Sequence, residues 1–578
     1  MAGLFLARSD DADALAQARA HYAAHGFSGG VEATLPGWTL LHWPYVSGGP
    51  EMILTDGDDL VAVAGSFTFD GLMGRAALAA MLGAAQLPAL DWSRIGGQFA
   101  AVVRKRGRTF VFSDFFAAYQ LFHDKRHRIF STSLLAATGA LPRLSFDPQG
   151  VYEFAFNVVP LGDDTVLAEL KTLSPRKMVE LTADGATIHA IDKPLPSNPV
   201  NEPLPDRLAR HSARLLDVVG AHVRQFGDAV NCPLSGGLDS RLVLAALRAE
   251  GCNPHLYVYG DPGDDDVSIA QAIGEAEGFA VDYVDKDRPR PDPDHFAALV
   301  ERNFRQFDAL PTYGNIFDPG GYADAQLIRH ANGALAASGG CGEIYRDFFF
   351  LPDRPVSARS VAQTFFARFA PGDGTDLFEP RAFIDRIAAK IAVAVEEPSI
   401  ARRLPRALIE QIYPRVRCRA LFGREISLES RFGAYLMPFL DHRVVAEAMT
   451  VPMRQKQAGR FEAALLNAID PALAAHMSAY GHDFSGPPSR AHRFEEWSSR
   501  IRPAWLRAKS YAVKRRLKPM GDEHGGLLEP EFMSRVIDLD FPAMRRFFRM
   551  DAINDSGLWR RIACLEYLAG HLGGKLGA

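Results

Sequence analysis

Apolar and polar positions change rhythm twice along this chain. In the first stretch, short apolar runs flank turn formers: Met52 to Gly65 (MILTDGDDLVAVAG) breaks around Asp56-Gly57, and Phe99 to Asp114 breaks around Arg106-Gly107-Arg108. Each reads as a β-hairpin, and together they predict an antiparallel domain. A proline-dense stretch follows, from Lys193-Pro194-Leu195-Pro196-Ser197-Asn198-Pro199 through Pro203 and Pro205. Neither a helix nor a central strand tolerates that density, so residues 193–205 are expected to be a linker between domains at 1–192 and 206–578. The period then becomes helical: Leu208, Leu215, Leu216, Val219 and Val223 share one face of a helix predicted to end near Gly227. Beyond it the chain reads as helical with short β segments, without internal repeats or a low-complexity tail.

Chemistry begins just after that helix. Ala229 to Leu234 reads as a buried strand, Ser235-Gly236-Gly237-Leu238-Asp239-Ser240 as a loop, and Arg241 to Leu247 as a helix. Two glycines let the backbone curl around a phosphate, the hydroxyls of Ser235 and Ser240 add donors, and the helix N-terminus adds partial positive charge. Asp239 is suited to hold a magnesium ion. A tight turn with no ligand is the plain alternative for such a loop. A second apolar strand, Leu256 to Gly260, follows at the distance of one βα unit, as a doubly wound nucleotide-binding sheet requires.

Composition narrows the class. With 578 residues, 23% of them charged, and a net charge of -5, the chain has room for two or three globular domains and no general electrostatic reason to bind nucleic acid. No uninterrupted apolar stretch reaches the ~20 residues that span a bilayer, and no basic segment with a following apolar run opens the sequence, so a cytoplasmic protein without a membrane span is expected. Five scattered cysteines (Cys232, Cys252, Cys341, Cys418, Cys564) signal reduced thiols rather than a disulfide framework or a zinc site.

SGGLDS in this setting resembles the pyrophosphatase loop of the adenine nucleotide α-hydrolase fold, and further segments resemble asparagine synthetase homologues. Ile95 to Ala100 is similar to that family's LDGxFAF strand, Phe110 to Phe122 to its RDxxGxxPLYY segment, and Ser131-Thr132-Ser133 stands where it has ASE. Ser338-Gly339-Gly340-Cys341-Gly342-Glu343 resembles its SGxGxDE loop, and Glu429-Ser430-Arg431 with Pro438-Phe439-Leu440-Asp441 resembles ExRxPFLD, split here by a five-residue insertion. The resemblance implies an α/β protein of two domains. The first would be a glutaminase-type α+β domain of the Ntn-hydrolase kind, and the second a parallel-sheet, helix-rich ATP-binding domain. It also implies an ATP site at Leu234, Ser235, Gly236, Gly237, Leu238, Asp239, Ser240, Val258, Tyr259, Gly260, Ser338 and Gly339. Magnesium would sit on Asp239 and Glu343, and Glu429 would handle a proton. The plain alternative for Glu429 is a helix carboxylate paired with Arg431.

Departures from that pattern direct the functional expectation. Glutamine-dependent members expose a cysteine thiol where this chain has Ala2, and Ser66 to Asp70 (SFTFD) lacks their glutamine-binding pattern. The first domain is therefore expected to be structural, and the amine to come from elsewhere. Two kinds of relative fit: β-lactam synthetases, and cyclases that close the macrolactam of lasso peptides. Gly340 stands where the former carry a dyad tyrosine, and read as open space it suits a larger substrate. The expected reaction is adenylation of an Asp or Glu side chain in a ribosomal precursor peptide, then amide formation with the peptide's N-terminal amine. A leader-binding protein and a leader protease are the expected partners. The alternatives are an ammonia-dependent asparagine synthetase-like enzyme and a small-molecule cyclase. The family's late lysine has no counterpart near Ala479 and Tyr480, and Lys456 or Arg460 are the substitutes in view. Asp264-Asp265-Asp266 reads as a solvated acidic loop, and His476, His482 and His492 lack metal spacing. The ten Lys or Arg between Arg490 and Lys518 read as the solvated basic face of an amphipathic helix, with a docking surface for an acidic leader peptide or partner protein as the alternative.

Overall fold

A computed structural model describes residues 3–577 apart from 262, 287, 371, 504, 508, 511, 512 and 514–525. Ala2 and the far end of the basic segment thus lie outside the described residues. Two six-stranded antiparallel sheets come first. One runs Leu170–Thr172, Phe122–Asp124, Ile129–Ser131, Gly3–Arg8, Trp38–Trp43, Val31–Leu35; the other runs Gly185–Ala190, Lys177–Thr182, Arg108–Ser113, Ile95–Lys105, Asp59–Phe69, Ile53–Asp56. Both expected hairpins form. In the second, Arg106 and Gly107 both adopt positive φ (52° and 77°), the two-residue turn whose twist matches that of its strands. Val61 to Ala64 and Phe99 to Val103 are fully buried, which explains their unbroken apolar runs. Helix Gly74–Ala84 packs on strand Asp59–Phe69, and His42 Nε2 lies 2.9 Å from the Val63 carbonyl oxygen, linking the two sheets.

No helix or strand lies between Ala190 and Leu204. Helix Leu204–Phe226 follows, with Pro205 in its first turn, where a missing N–H costs nothing, and Gly227 (φ 56°) stopping it. Leu215 and Val219 are buried, while Leu208, Leu216 and Val223 pack partly buried beside them.

The second half is built on a five-stranded sheet in the order Val281–Val284, His255–Tyr259, Val230–Pro233, Leu335–Ala337, Tyr435–Leu436, every pair parallel. From Val230–Pro233 the chain steps outward twice on one side, then returns to build the other side. The order therefore reverses between Val230–Pro233 and Leu335–Ala337, and a crevice outside the carboxyl ends of these two strands is where such sheets bind ligands. Both glycine-rich loops, Ser235 to Ser240 and Ser338 to Glu343, leave from those two ends.

The halves are joined by buried polar contacts. Ser66 Oγ accepts from the Tyr435 N–H at 2.8 Å, and Asp308 accepts from Ser133 Oγ (2.6 Å) while pairing with Arg431 (3.0 Å) and Arg424 (3.3 Å). Burial alone would raise the Asp308 carboxyl; the two guanidiniums hold it well below the ordinary range. All five cysteines are free and buried. Among the described residues no helix is long and apolar enough to cross a membrane.

Candidate functional site

The first loop is positioned by its strand and by the helix Leu238–Ala249 that follows. Gly237 caps that helix with no side-chain acceptor, so the N–H groups of the first turn are not closed off by a cap. The loop is preset by its serines: Ser235 Oγ and Ser240 Oγ lie 3.0 Å apart, and Ser240 Oγ accepts from the Ser235 N–H at 3.0 Å. Gly236 donates its N–H to Asp266 at 2.8 Å. The acidic run is exposed, as expected, but instead of a loop it caps and opens helix Asp265–Glu277, and its Asp266 carboxylate touches the glycine loop.

The second loop lies directly on the first. A Cβ on Gly342 would come within 1.9 Å of Asp239 Oδ1, and one on Gly339 within 2.9 Å of the Ser240 nitrogen, so this approach admits only glycine at both positions. Beside them, Arg346 Nη2 donates to Asp239 Oδ2 at 2.5 Å and stands 3.9 Å from Glu343 Oε1. Its Nε lies 3.1 Å from the fully buried Glu462, and its Nη1 donates to the Tyr480 hydroxyl at 3.2 Å. Glu343 Oε2 also accepts from Tyr413 at 2.5 Å. Asp239 and Glu343 thus lie on either side of the Arg346 guanidinium, which bridges them. Among the described residues no group of three or more His, Cys, Asp or Glu converges on a metal position. Two carboxylates nevertheless suit a magnesium ion that takes its other ligands from phosphate and water.

Two cavities reach the loops, and a third shares a wall with one of them. One of about 460 Å³ reaches Leu238, Glu343, Arg346 and Tyr480. On the other side, a cavity of about 380 Å³ is lined by Ser338, Glu425, Glu429 and Tyr313, and one of about 530 Å³ by Gly260, Asp285 and Arg288. Tyr259, Lys286 and Tyr322 line both of the latter. Val258 is buried in its strand, one residue short of this wall.

Glu429 is fixed in place. Its Oε1 accepts from Arg329 (2.5 Å) and Gln326 (3.0 Å), and its Oε2 lies 3.2 Å from His330 Nε2. Burial pushes its carboxyl up, but Arg329 and His330 outweigh that and hold it below the ordinary value. The ion-paired alternative therefore describes its geometry, with Arg329 as partner; Arg431 pairs with Asp308 instead. One turn earlier, Glu425 is half-buried at the cavity wall and, among the described residues, accepts a hydrogen bond from the Tyr435 hydroxyl at 2.8 Å. Burial raises its carboxyl to about 7, with the neighbouring Glu429 charge adding to the rise.

The basic groups also sort themselves. Lys456 is buried away from the cavities, donating to the Ile344 carbonyl (2.7 Å) and Glu410 (3.2 Å), and Arg460 is exposed. Lys286 was not singled out by the sequence. Its ammonium sits 3.8 Å from the Tyr259 ring centre and 4.6 Å from that of Tyr322, with no carboxylate at ion-pair distance among the described residues. Burial, followed by the Arg329 charge, lowers it to about 8. Gly340 is not open space: a Cβ there would meet Met437 Cε at 2.9 Å and Phe422 at 3.0 Å. The expectation of room for a larger substrate at that position is corrected by these two side chains, which fill it.

The fold and loops define a mixed α/β chain, with antiparallel sheets followed by a parallel sheet carrying two interlocked glycine loops at its switch point. No protein-family profile matches the chain, and no curated protein matches it. Among solved structures, the glutamine phosphoribosylpyrophosphate amidotransferase from B. subtilis, complexed with ADP and GMP, aligns with a TM-score of 0.23 at 13% identity, over 49% of this chain and 65% of that one. A structure described as the allosteric regulatory enzyme of purine biosynthesis aligns with a TM-score of 0.24 at 13% identity, over 49% of this chain and 64% of that one. The chain thus covers a little under two-thirds of each of these neighbours, and the functional reading rests on its own geometry.

Proposed function

We propose that this chain is an ATP-dependent, AMP-forming carbon–nitrogen ligase of the asparagine synthetase type, and that it closes the macrolactam ring of a ribosomal lasso peptide. The observation that carries the reading is the meeting of Ser235–Ser240 and Ser338–Glu343 at the switch point, with a cavity on the far side holding one poised carboxylate and one unpaired ammonium. In this reading the first half is an Ntn-type domain kept as structure. Gly3 packs there against the rings of Tyr22 and Trp43, which fill the space a side chain would take.

The Ser235, Gly236 and Gly237 N–H groups are taken within the protein, so the uncapped first turn of helix Leu238–Ala249 would hold the ATP phosphates, with the adenosine toward Tyr259 and Gly260. Asp239 and Glu343 would hold magnesium, which offsets charge on the departing pyrophosphate. An oxygen of the peptide's Asp or Glu carboxylate attacks the α-phosphorus, and pyrophosphate leaves. The peptide's N-terminal amine then attacks the acyl carbon, the acyl–oxygen bond to AMP breaks, and the proton passes to Glu425, whose raised pKa suits a base near neutrality. Lys286 supplies positive charge where the phosphate and the acyl oxygen carry their negative charge, the role left open by the missing late lysine. Holding both ends of one peptide in reacting geometry makes ring closure unimolecular. A leader-binding protein and a leader protease would deliver the freed peptide.

The test is mass spectrometry of a leaderless precursor peptide incubated with the protein, ATP and magnesium. The expected product is lighter by one water, with AMP and pyrophosphate released, and acetylating the peptide's amine stops closure. Ring formation from the acetylated peptide would overturn the reading, and asparagine made from free aspartate and ammonium would replace it with the simpler amidation.

A further inference from the structure

Helix Arg490–Ile501 is docked inside out. Its inward side is ionic: Glu496, the one buried residue of the helix, accepts from the Ala458 N–H at 2.7 Å and from Arg500 at 3.2 Å, and Arg500 pairs with Asp347 at 2.9 Å. Just beyond, Arg507 donates to the Phe349 carbonyl at 3.0 Å. Its outward side is aromatic and aliphatic. Phe494, Trp497 and Ile501 follow one another at helical spacing on one face, 65%, 51% and 56% exposed, and Trp505, past the break at Pro503, is 61% exposed. The Phe494 and Trp497 rings already lie 5.7 Å apart. A helix serving only to cover the protein body would turn this face inward. The solvated basic residues that the sequence predicts are present, and large apolar side chains share the solvated side with them.

Cations border the row. Arg490, Arg493, Arg502 and Lys509 are exposed, and among the described residues none has a carboxylate at ion-pair distance, in a chain whose net charge is -5. A second copy of the chain would bring these same cations together. A helix-binding groove on another protein takes one continuous ridge, whereas Pro503 splits this row between two segments. A fluid anionic surface accepts both segments at once, with the rings among the acyl chains and the cations at the headgroups. We propose that this face docks the protein on an anionic phospholipid bilayer as a peripheral contact. The same segment supplies His492, Glu496 and Arg507 to the 460 Å³ cavity that reaches Glu343, so docking sets that cavity beside the membrane surface.

Co-sedimentation of the full chain with phosphatidylcholine vesicles, with and without phosphatidylglycerol, tests this directly. Pelleting is expected with phosphatidylglycerol only, weakened by salt and accompanied by a blue shift of tryptophan emission. The triple variant Phe494→Ser, Trp497→Ser, Trp505→Ser alters exposed positions, so its circular dichroism should be unchanged while its vesicle affinity falls at least ~tenfold. Neutralising the cations (Arg490→Gln, Arg493→Gln, Arg502→Gln, Lys509→Gln) should remove the salt-sensitive share. The proposal is overturned if wild type ignores anionic vesicles at low salt, or if the triple variant pellets equally well. It is also overturned if light scattering shows the triple variant splitting a dimer, or if the chain prefers an acidic polypeptide such as polyglutamate to vesicles.

Discussion

Glu425 and Glu429 stand one helical turn apart on the wall of the same cavity, the first half-buried and the second buried, and their surroundings drive them in opposite directions. Arg329, Gln326 and His330 saturate Glu429 and keep it ionised. Among the described residues Glu425 accepts from the Tyr435 hydroxyl, and burial, with the Glu429 charge adding, lifts it to about 7. The same contrast separates the two sides of the sheet: Asp239, Glu343 and Glu462 share Arg346, whereas Lys286 lies over the Tyr259 and Tyr322 rings with no carboxylate at ion-pair distance among the described residues. Saturated charges hold a shape. Unsaturated ones are ready to exchange a proton or take up an anion, and in the proposed reaction they lie where the chemistry occurs.

The largest test of this contrast removes a saturated group that meets the nucleotide in the proposed reaction. Asp239→Ala should lower peptide-dependent AMP release by about a thousandfold or more, the scale of losing preorganised charge stabilisation, with circular dichroism unchanged. AMP release at the wild-type rate would take the first loop out of the mechanism. Next comes the pair itself. Glu425→Gln should slow ring closure about a hundredfold, the usual share of general base catalysis, and leave pyrophosphate exchange nearly intact. Wild-type closure should rise with pH through about 7, and the variant should lose that limb. Glu429→Gln should act on stability instead, costing about 3–5 kcal/mol in urea unfolding, because it strands the buried Arg329 charge.

Stability against pH separates the two carboxylates by sign. The Glu425 pKa is raised in the folded state, so its contribution is full below the ordinary carboxyl pKa of 4.5 and is lost as pH rises through about 7. That slope amounts to about 3 kcal/mol at most, and Glu425→Gln should flatten it. Glu429 is depressed, so its contribution holds above the ordinary value and is lost on acidification. A smaller effect is expected at Lys286. Lys286→Met should cut closure about tenfold by removing the positive charge, Lys286→Arg should restore part of it, and wild-type closure should decline above about 8 as the ammonium deprotonates. Equal rates for Lys286→Met and wild type would show that the unpaired ammonium has no anion to meet.

What the sequence disclosed was local. The strand–loop–helix unit at Ser235 to Ser240, the two hairpins and the helix ending at Gly227 are each set by residues within a few positions, where turn chemistry and hydrophobic period operate. The network around those residues was not legible. Arg346 reaches Asp239 across 107 positions, and Glu429 meets Arg329 across 100; no periodicity encodes such pairs. Glu425 and Lys286 had no motif to mark them, since their character comes from what surrounds them after folding. Helix Arg490–Ile501 shows the same limit from the other side: its composition was plain, but which face met the body depended on Asp347 and the Ala458 N–H, far away in sequence.

Gly340 gives the smallest and sharpest test, because the sequence invited one reading and the packing another. As open space, it would accept Gly340→Ala with no change in stability or substrate use. As packed, the added methyl presses on Met437 Cε and the Phe422 ring, and Phe422 lines the 380 Å³ cavity. The end of a methionine side chain gives way readily, so the expected cost is only about 1 kcal/mol, at the low end for overpacking. Displacing Phe422 narrows the space beside Glu425, so the KM for peptide should rise about two- to threefold while ATP binding, measured with a fluorescent analogue, stays constant. Gly340→Tyr should cost far more, since a ring must be added where a Cβ alone already meets both neighbours. If both variants unfold at the wild-type urea midpoint, Met437 and Phe422 do not close this position.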